Sequence, residues 1–189
     1  MTSAAPSELH VPLGDLLLRR PRLEDAAELA AAYDRNREHL APWEPVRDER
    51  FYAVDEQARR LAGRIASDAE GLSITALVVD ASDRVVASVN VNDIVRGVFG
   101  NGHLGYWSDG EHVGRGLMTR AVAAVCEYAR AEGLHRIQAA TLLHNAASQR
   151  VLRRNGFAAI GVAADYLFIA GAWRDHVLFQ RILTDAAPH

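Results

Sequence analysis

The chain has 189 residues, 49% hydrophobic and 24% charged, which is the composition of one ordinary globular domain rather than of a disordered protein. Its formal net charge is −3, so it has no general basic field and we expect no duplex nucleic acid among its partners. The sequence contains neither a signal-peptide pattern nor a run of about 18 apolar residues for a membrane span. The one cysteine, Cys126, cannot form an intramolecular disulfide. These features predict a cytoplasmic protein without membrane contact.

The N-terminal half predicts a loose arm followed by mixed secondary structure. Residues 1–13 contain Pro6 and Pro12 and predict the arm. Pro21 ends a short apolar run and disfavours helical backbone in the residue before it, so that run predicts a strand. Segments rich in Ala, Leu and Glu predict helices, and β-branched runs joined by polar turn residues predict a hairpin. The predicted elements are a strand over 16–20, helices over 23–33 and 53–67, and hairpin strands over 73–80 and 85–92.

The C-terminal half alternates strands with helices. Gly133 lies where a helix C-cap belongs, at the end of the long apolar stripe that predicts the most regular helix. The predicted elements are a strand over 103–108, a helix over 117–132, a strand over 135–142, a helix over 146–155, and two closing strands over 157–166 and 173–183. This alternation predicts an α/β (α+β) fold with helices on both faces of a mixed sheet. We expect one domain over residues 14–183 and a tail over residues 184–189.

The turn between the strand at 103–108 and the long helix carries the strongest chemical signal. Gly114 and Gly116 free the backbone to follow a ligand closely, and the first N–H groups of the helix have no partners within it. Such a terminus attracts phosphate, and Arg115 adds a positive charge. The sequence lacks the G-K-[ST] of a P-loop and the third glycine of a dinucleotide fingerprint. A tight turn that binds nothing remains the alternative.

Four separated segments, 103–119, 134–136, 145–157 and 173–178, resemble the GNAT superfamily of N-acetyltransferases, in the branch similar to the RimJ/RimL ribosomal-protein N-acetyltransferases. The superfamily's pyrophosphate motif, Arg/Gln-x-x-Gly-x-Gly/Ala, falls on residues 113–118, with departures at Val113 and Met118. Because the motif binds mainly through backbone N–H groups, we expect these departures to alter CoA affinity without abolishing it. The resemblance implies a mostly antiparallel mixed sheet, splayed between its fourth and fifth strands around the acyl-CoA.

The resemblance also implies the cofactor contacts. Acetyl-CoA, or another short acyl-CoA, is the expected co-substrate, and no metal is expected. Asn145 matches the family asparagine that binds pantetheine, although an asparagine there also suits a helix cap. The implied cofactor-binding residues are Tyr106, Trp107 and Ser108 on the strand, Val113, Gly114, Arg115, Gly116, Leu117, Met118 and Thr119 in the turn, and Asn145 and Ser148 at the next helix.

The predicted base is His103, which occupies the strand position where many family members place a catalytic glutamate. A neutral imidazole takes a proton near neutral pH. The alternative is a surface histidine beside a glycine loop, and Asp93 and His144 are further candidates. Family members transfer the acyl group directly, without a covalent enzyme intermediate, so we do not expect Cys126 to act as a nucleophile.

The predicted acid is Ser148, because the RimL-like branch uses a serine there near the thioester sulfur. The common family tyrosine falls at Leu152 and is therefore missing, and the carboxylate of the RimL-like branch falls at Leu167. A solvent-facing helix serine is the alternative for Ser148.

The loop aromatic residues Trp43, Phe51 and Tyr52 either clamp the acceptor or cover the core. The expected function is transfer of a short acyl group from acyl-CoA to a primary amine of a protein N-terminus or a small molecule. The alternative is a CoA-binding regulatory or partner-binding module with little turnover. Because the branch commonly forms dimers, we expect a homodimer.

Overall fold

The computed structural model describes residues 9–187. Its helices and strands follow the predicted order closely from residue 16 onward. The elements are β1 (His10–Pro12), β2 (Leu17–Arg19), α1 (Ala26–Arg35), α2 (Arg37–Leu40), α3 (Val54–Ala69), β3 (Ile74–Val79), β4 (Val85–Val95), β5 (Asn101–Ser108), α4 (Leu117–Ala131), β6 (Arg136–Leu142), α5 (Ala146–Arg154), β7 (Ala158–Ile169) and β8 (Ala172–Ile182). Short 3-10 turns lie at Leu23–Asp25, Glu49–Tyr52 and Gly110–His112.

The strands form one sheet in the order β1-β2-β3-β4-β5-β6-β8-β7. The pair β5 and β6 is parallel, and the other neighbouring pairs are antiparallel. The parallel pair needs a long crossover, which α4 supplies. The predicted mixed, mostly antiparallel sheet is confirmed.

Residues 9–13 do not form the predicted loose arm. Leu9 and Leu13 are buried in the core, and His10–Pro12 pairs with β2. Burial of the two leucines outweighs the turn tendency that the prolines suggested. Residues 1–8 of the predicted arm lie outside the described residues, and residues 184–187 of the predicted tail follow the end of β8.

Helices cover both faces of the sheet. The stripe predicted for α4 faces one side of the sheet, where Val122, Val125 and Ala129 are buried. On the other side, α1 and α3 bury Leu29 and Leu61. Two apolar layers therefore hold the sheet rigidly between helices, as the alternating pattern predicted. No helix within residues 9–187 is long and apolar enough to cross a membrane.

The sheet opens between β5 and β6. Their parallel pairing runs from Asn101↔Arg136 to Leu104↔Ala139 and ends there. Beyond that point residues 105–108 of β5 pair with β4, and the end of β6 pairs with β8. Counted along the predicted strands, this is the expected splay between the fourth and fifth strands.

Candidate active site

A cavity of about 480 Å³ lies where β5 and β6 separate. The end of β5, the turn before α4, the start of α5 and the loop after α2 form its walls. Most of the predicted site residues line it: Trp43, Tyr106, Trp107, Ser108, Val113, Gly114, Gly116, Leu117, Met118, Thr119, Asn145 and Ser148. The cavity therefore brings together the predicted pantetheine, phosphate and acid positions.

The turn before α4 has the backbone geometry of an anion site. Gly114 and Gly116 have φ values of 79° and 73°, a left-handed conformation that favours glycine. The first α-helical bond runs from Arg120 N–H to the Gly116 carbonyl at 3.2 Å. The N–H groups of Leu117, Met118 and Thr119 precede that bond and have no partner inside the helix. These N–H groups form the positive end of the α4 dipole and belong to residues that line the cavity, an arrangement that suits a phosphate group.

The charges beside this turn differ from the predicted ones. Arg115 is exposed and does not line the cavity, whereas Arg150 and Arg154 of α5 do. These two arginines are four residues apart and so project from the same face of α5. Their spacing was visible in the sequence, but only the packing of α5 beside the turn directs that face toward the cavity.

Asp109 anchors the entrance to the turn. Its carboxylate accepts hydrogen bonds from the Glu111 N–H at 3.0 Å and from Arg35 Nε at 2.9 Å, and the Asn36 amide contacts it at 3.2 Å. Burial alone would raise the pKa of Asp109, but these hydrogen bonds outweigh it and lower the pKa. Asn36 also accepts the Gly110 N–H at 3.0 Å. The turn before α4 is therefore tied to α1 by a buried ionised carboxylate.

A pair of hydroxyl groups lies at the start of α5. Asn145 caps the helix, since its Oδ1 accepts the Ser148 N–H at 3.0 Å, and it lines the cavity at the same time. The Ser148 hydroxyl lies 2.8 Å from the hydroxyl of Tyr106. Burial raises the pKa of Tyr106 to about 12, so the phenol stays protonated in the neutral range. The two hydroxyl groups form a proton-donating pair.

The sequence does not predict a role for the Tyr106 hydroxyl, because the resemblance implies only a backbone contact at that residue. Leu152, where the family tyrosine was expected, is buried in the core. Leu167, where the branch carboxylate was expected, is exposed on β7. The phenol that contacts Ser148 of α5 is therefore that of Tyr106 on β5.

His103 lies away from the cavity. It sits opposite Asn92 and Gln138 in the closed part of the sheet, before β5 and β6 separate. Within the described chain its Nδ1 is buried without a hydrogen-bond partner. Asp93 lines a separate depression beside α3. The predicted bases His103 and Asp93 thus lack contact with the cavity, because the splay begins after His103 rather than before it.

The loop aromatic residues divide between two positions. Trp43 lines the cavity, and its ring lies 5.5 Å from that of the exposed His144. Phe51 is buried against Tyr33, at 4.8 Å between ring centroids, and Tyr52 lies under the Arg37 guanidinium at 3.5 Å. Phe51 and Tyr52 line a neighbouring cavity of about 450 Å³.

Cys126 lies in the apolar core and does not line the cavity. Cys126 is buried in α4, and burial raises the pKa of its thiol to about 11. A neutral buried thiol is a poor nucleophile. In the part of the chain that the structure describes, no group of three or more His, Cys, Asp or Glu side chains is arranged to hold a metal ion.

The acetyltransferase (GNAT) domain family matches residues 15–158. The chain belongs to the GNAT family. It is 37% identical over 175 residues to the [ribosomal protein uS5]-alanine N-acetyltransferase of Escherichia coli. The matched region covers 92% of this chain and 90% of that protein. This GNAT enzyme also resembles the crystal structure of the ribosomal-protein-S5-alanine acetyltransferase of Vibrio fischeri, with 36% identity, a TM-score of 0.91, and coverage of 95% of this chain and 99% of that one.

A third relative is Mycobacterium smegmatis RimJ in complex with CoA-disulfide, with 29% identity, a TM-score of 0.83, and coverage of 88% of this chain and 81% of that one. The similarity to the RimJ/RimL branch is confirmed. The chain is an acetyl-CoA-dependent N-acetyltransferase, and acyl-CoA is its co-substrate.

Proposed function

We propose that this GNAT enzyme acetylates the α-amine of a protein N-terminus that begins with alanine, and that its acceptor is ribosomal protein uS5. Similarity over nine-tenths of both chains to the E. coli uS5-alanine N-acetyltransferase carries the proposal. Because ribosomal proteins are made in the cytoplasm, the proposed acceptor also supports the predicted cytoplasmic location.

An α-amine suits the chemistry of this cavity. Its pKa of about 7.7–8.0 leaves a substantial neutral fraction near pH 7.5, whereas a lysine side chain with a pKa of about 10.4 is almost wholly charged. Only the neutral amine has the lone pair that attacks the acetyl carbon. An N-terminal acceptor therefore needs less help from a base than a lysine does.

The proposed roles of the cavity residues follow their positions. The free backbone edge of β5 over residues 105–108 supports pairing with pantetheine, and the N–H groups before Arg120 support the pyrophosphate. Arg150 and Arg154 add charge-assisted contacts to phosphate. Ser148 protonates the leaving thiolate and recovers its proton from Tyr106, whose hydroxyl is 2.8 Å away.

The acceptor is tested with two synthetic peptides that begin with alanine and contain one internal lysine. One peptide has a free α-amine, and the other is already acetylated there. We expect release of free CoA thiol and gain of one acetyl group with the first peptide alone. Equal acetylation of both peptides would identify lysine as the acceptor. Binding of acetyl-CoA without peptide-dependent thiol release would favour the regulatory alternative.

We also propose that the enzyme is a homodimer that uses the β7–β8 hairpin. This hairpin carries exposed large apolar side chains at Ile160, Val162, Tyr166, Leu167, Phe168 and Trp173. Exposed large apolar side chains grouped on one hairpin are typical of a surface that contacts another protein. β7 is moreover an edge strand of 12 residues, and long exposed edges favour pairing with another chain.

A further inference from the structure

The loop after α2 brings a carboxylate into the active-site cavity. Glu44 lines this cavity, and it is the one acidic residue among those that line it in residues 9–187. Glu44 and Leu40 also line the neighbouring cavity of about 450 Å³. Glu44 therefore stands in the wall between the two cavities.

Contacts on both sides fix this loop at the end of the cavity where acyl transfer is expected. Trp43 packs its ring 5.5 Å from that of His144, which directly precedes Asn145 at the start of α5. The Glu44 carbonyl accepts the Ala170 N–H from the β7–β8 turn at 3.0 Å. Glu44 is thus held next to the helix start that presents Ser148.

The surroundings of Glu44 favour a proton acceptor. Its side chain is 20% exposed, and its Oε2 lies 3.4 Å from Arg47 Nη2. Burial is the largest influence and raises the pKa of Glu44, against the attraction of Arg47, Arg64 and Arg60. A carboxylate whose pKa is raised is a stronger base than an ordinary glutamate.

Charged and titratable groups from every neighbouring element act on Glu44, share a cavity with it or border its loop. They are Tyr33 on α1, Arg37, Glu38 and His39 on α2, Arg47 on its own loop, Tyr52 before α3, Arg60 and Arg64 on α3, Tyr106 on β5, His112 before α4, His144 before α5, and Arg150 and Arg154 on α5. Among them the imidazoles of His39, His112 and His144 and the carboxylate of Glu38 are the other side chains that can accept a proton. The arginines stay charged throughout and cannot accept a proton.

We infer that Glu44 receives the acceptor ammonium group and removes its proton for acyl transfer, which rests on the proposed function. The ammonium group first gives one proton to a Glu44 oxygen, which releases it to solvent. The neutral nitrogen then bonds to the acetyl carbon, the carbon–sulfur bond breaks, and the second proton of the nitrogen passes to the Glu44 carboxylate. The thiolate takes a proton from the Ser148 and Tyr106 hydroxyl pair, which recovers it from solvent. Glu44 thereby takes the role predicted for His103.

The neighbouring cavity gives the rest of the acceptor a path to Glu44. Its walls include Tyr33, Phe51, Tyr52 and Ala170. A chain that entered through it would present its first amine to the carboxylate while acetyl-CoA occupied the other cavity. This arrangement keeps the two substrates on opposite sides of Glu44.

The test compares Glu44→Gln with Glu70→Gln in the full chain. Glu70 is an exposed glutamate at the end of α3 that lines neither cavity, so its substitution removes the same charge outside the site. We expect Glu44→Gln to lower kcat by about 10²-fold or more, as loss of a general base does, and Glu70→Gln to change kcat by less than about threefold. Calorimetry should show the same acetyl-CoA affinity for both variants and the wild type.

The pH profile supplies a readout that a structural role would not change. With Glu44 as base, kcat/KM rises as the carboxylate ionises and falls again as the α-amine loses its proton near pH 8. In Glu44→Gln only the neutral amine reacts, so kcat/KM rises through about pH 8 instead. Glu44→Asp, which keeps the carboxylate, should restore the wild-type shape at a reduced rate.

Three outcomes would overturn the inference. One is a Glu44→Gln enzyme with the wild-type rate and pH profile, which would direct attention to His39, His112 and His144. Another is a loss of acetyl-CoA binding or of thermal stability that accounts for the lost rate. The third is a Glu44→Asp enzyme whose profile matches that of Glu44→Gln. The comparison uses any amine that the wild type acetylates, so failure of the alanine peptide would reject the proposed acceptor alone.

Discussion

The contact between Tyr106 and Ser148 shows how two weak acids become useful in one cavity. Neither hydroxyl ionises near neutral pH, but at 2.8 Å each can pass a proton to the other. Burial raises the pKa of Tyr106 to about 12, so the phenol is protonated at neutral pH. Both hydroxyl groups therefore keep a hydrogen to offer to a developing thiolate, and neither presents an ionised oxygen that would accept a proton from an amine.

The proposed proton transfer from Tyr106 to Ser148 predicts the effect of Tyr106→Phe. Removing the phenol leaves Ser148 without its proton source, so we expect kcat to fall by about 10–100-fold while acetyl-CoA affinity changes little. The measurement is thiol release under saturating acetyl-CoA together with calorimetric binding. Tyr128→Phe is the matched control, since the Tyr128 hydroxyl contacts Arg20 and Tyr128 does not line the cavity.

An unchanged kcat in Tyr106→Phe would show that Ser148 or water donates the proton alone. Removal of one hydrogen-bonded hydroxyl costs about 1 kcal/mol of stability, and both variants pay it. A rate loss in Tyr106→Phe alone therefore reports chemistry rather than folding.

The left-handed glycine ahead of α4 directs the free N–H groups of that helix at the cavity. Gly116 forms the N-terminal boundary of α4, and Gly133 has a similar φ of 81° at its other end. An L side chain in this conformation costs about 1–2 kcal/mol. The two glycines therefore carry the same backbone requirement, but only Gly116 lines the cavity.

Gly116→Ala and Gly133→Ala separate the two effects of this turn. Both variants should lose a similar amount of thermal stability. Gly116→Ala should also bind acetyl-CoA at least about tenfold more weakly, about 1.4 kcal/mol, because the strained turn no longer presents its N–H groups to the pyrophosphate. Calorimetry measures the affinity and thermal denaturation the stability. Equal acetyl-CoA affinity in both folded variants would place the phosphate site elsewhere.

The elements that local sequence determines were predicted well. The stripe on α4, its two terminal glycines and the β3–β4 hairpin are local patterns, and each formed as expected. The fold class followed from their alternation. The strand within residues 9–13 was not predicted, because burial of Leu9 and Leu13 depends on the rest of the sheet, which is distant in the sequence.

The predicted site residues divide in the same way. The glycine turn before α4 is one continuous segment, so its motif predicts a phosphate site directly, and the structure places that turn in the cavity wall. The position of His103 relative to the cavity depends on where β5 and β6 separate, which no local pattern reveals. Glu44 and the two arginines of α5 reach the cavity only through tertiary packing, although Trp43 beside Glu44 already pointed to this loop.

At the scale of the whole molecule, the β7–β8 hairpin links the proposed dimer to the active site. The turn of the hairpin contacts the loop that carries Glu44, through the Ala170 N–H and the Glu44 carbonyl at 3.0 Å. Farther along, the hairpin exposes the apolar side chains proposed to meet a second copy. A partner that ordered the hairpin would therefore also steady the loop that carries Glu44.

Trp173 is the side chain with which to test the dimer. It is 60% exposed and packs edge-on against Phe168, at 5.7 Å between ring centroids. Large aromatic side chains contribute strongly at interfaces, so an acidic residue there should separate the copies. Light scattering should give a mass near twice 20.7 kDa for the wild type and near 20.7 kDa for Trp173→Asp. Val98→Asp, a fully exposed position between β4 and β5, should stay dimeric. A wild type that is monomeric at high concentration would reject the dimer.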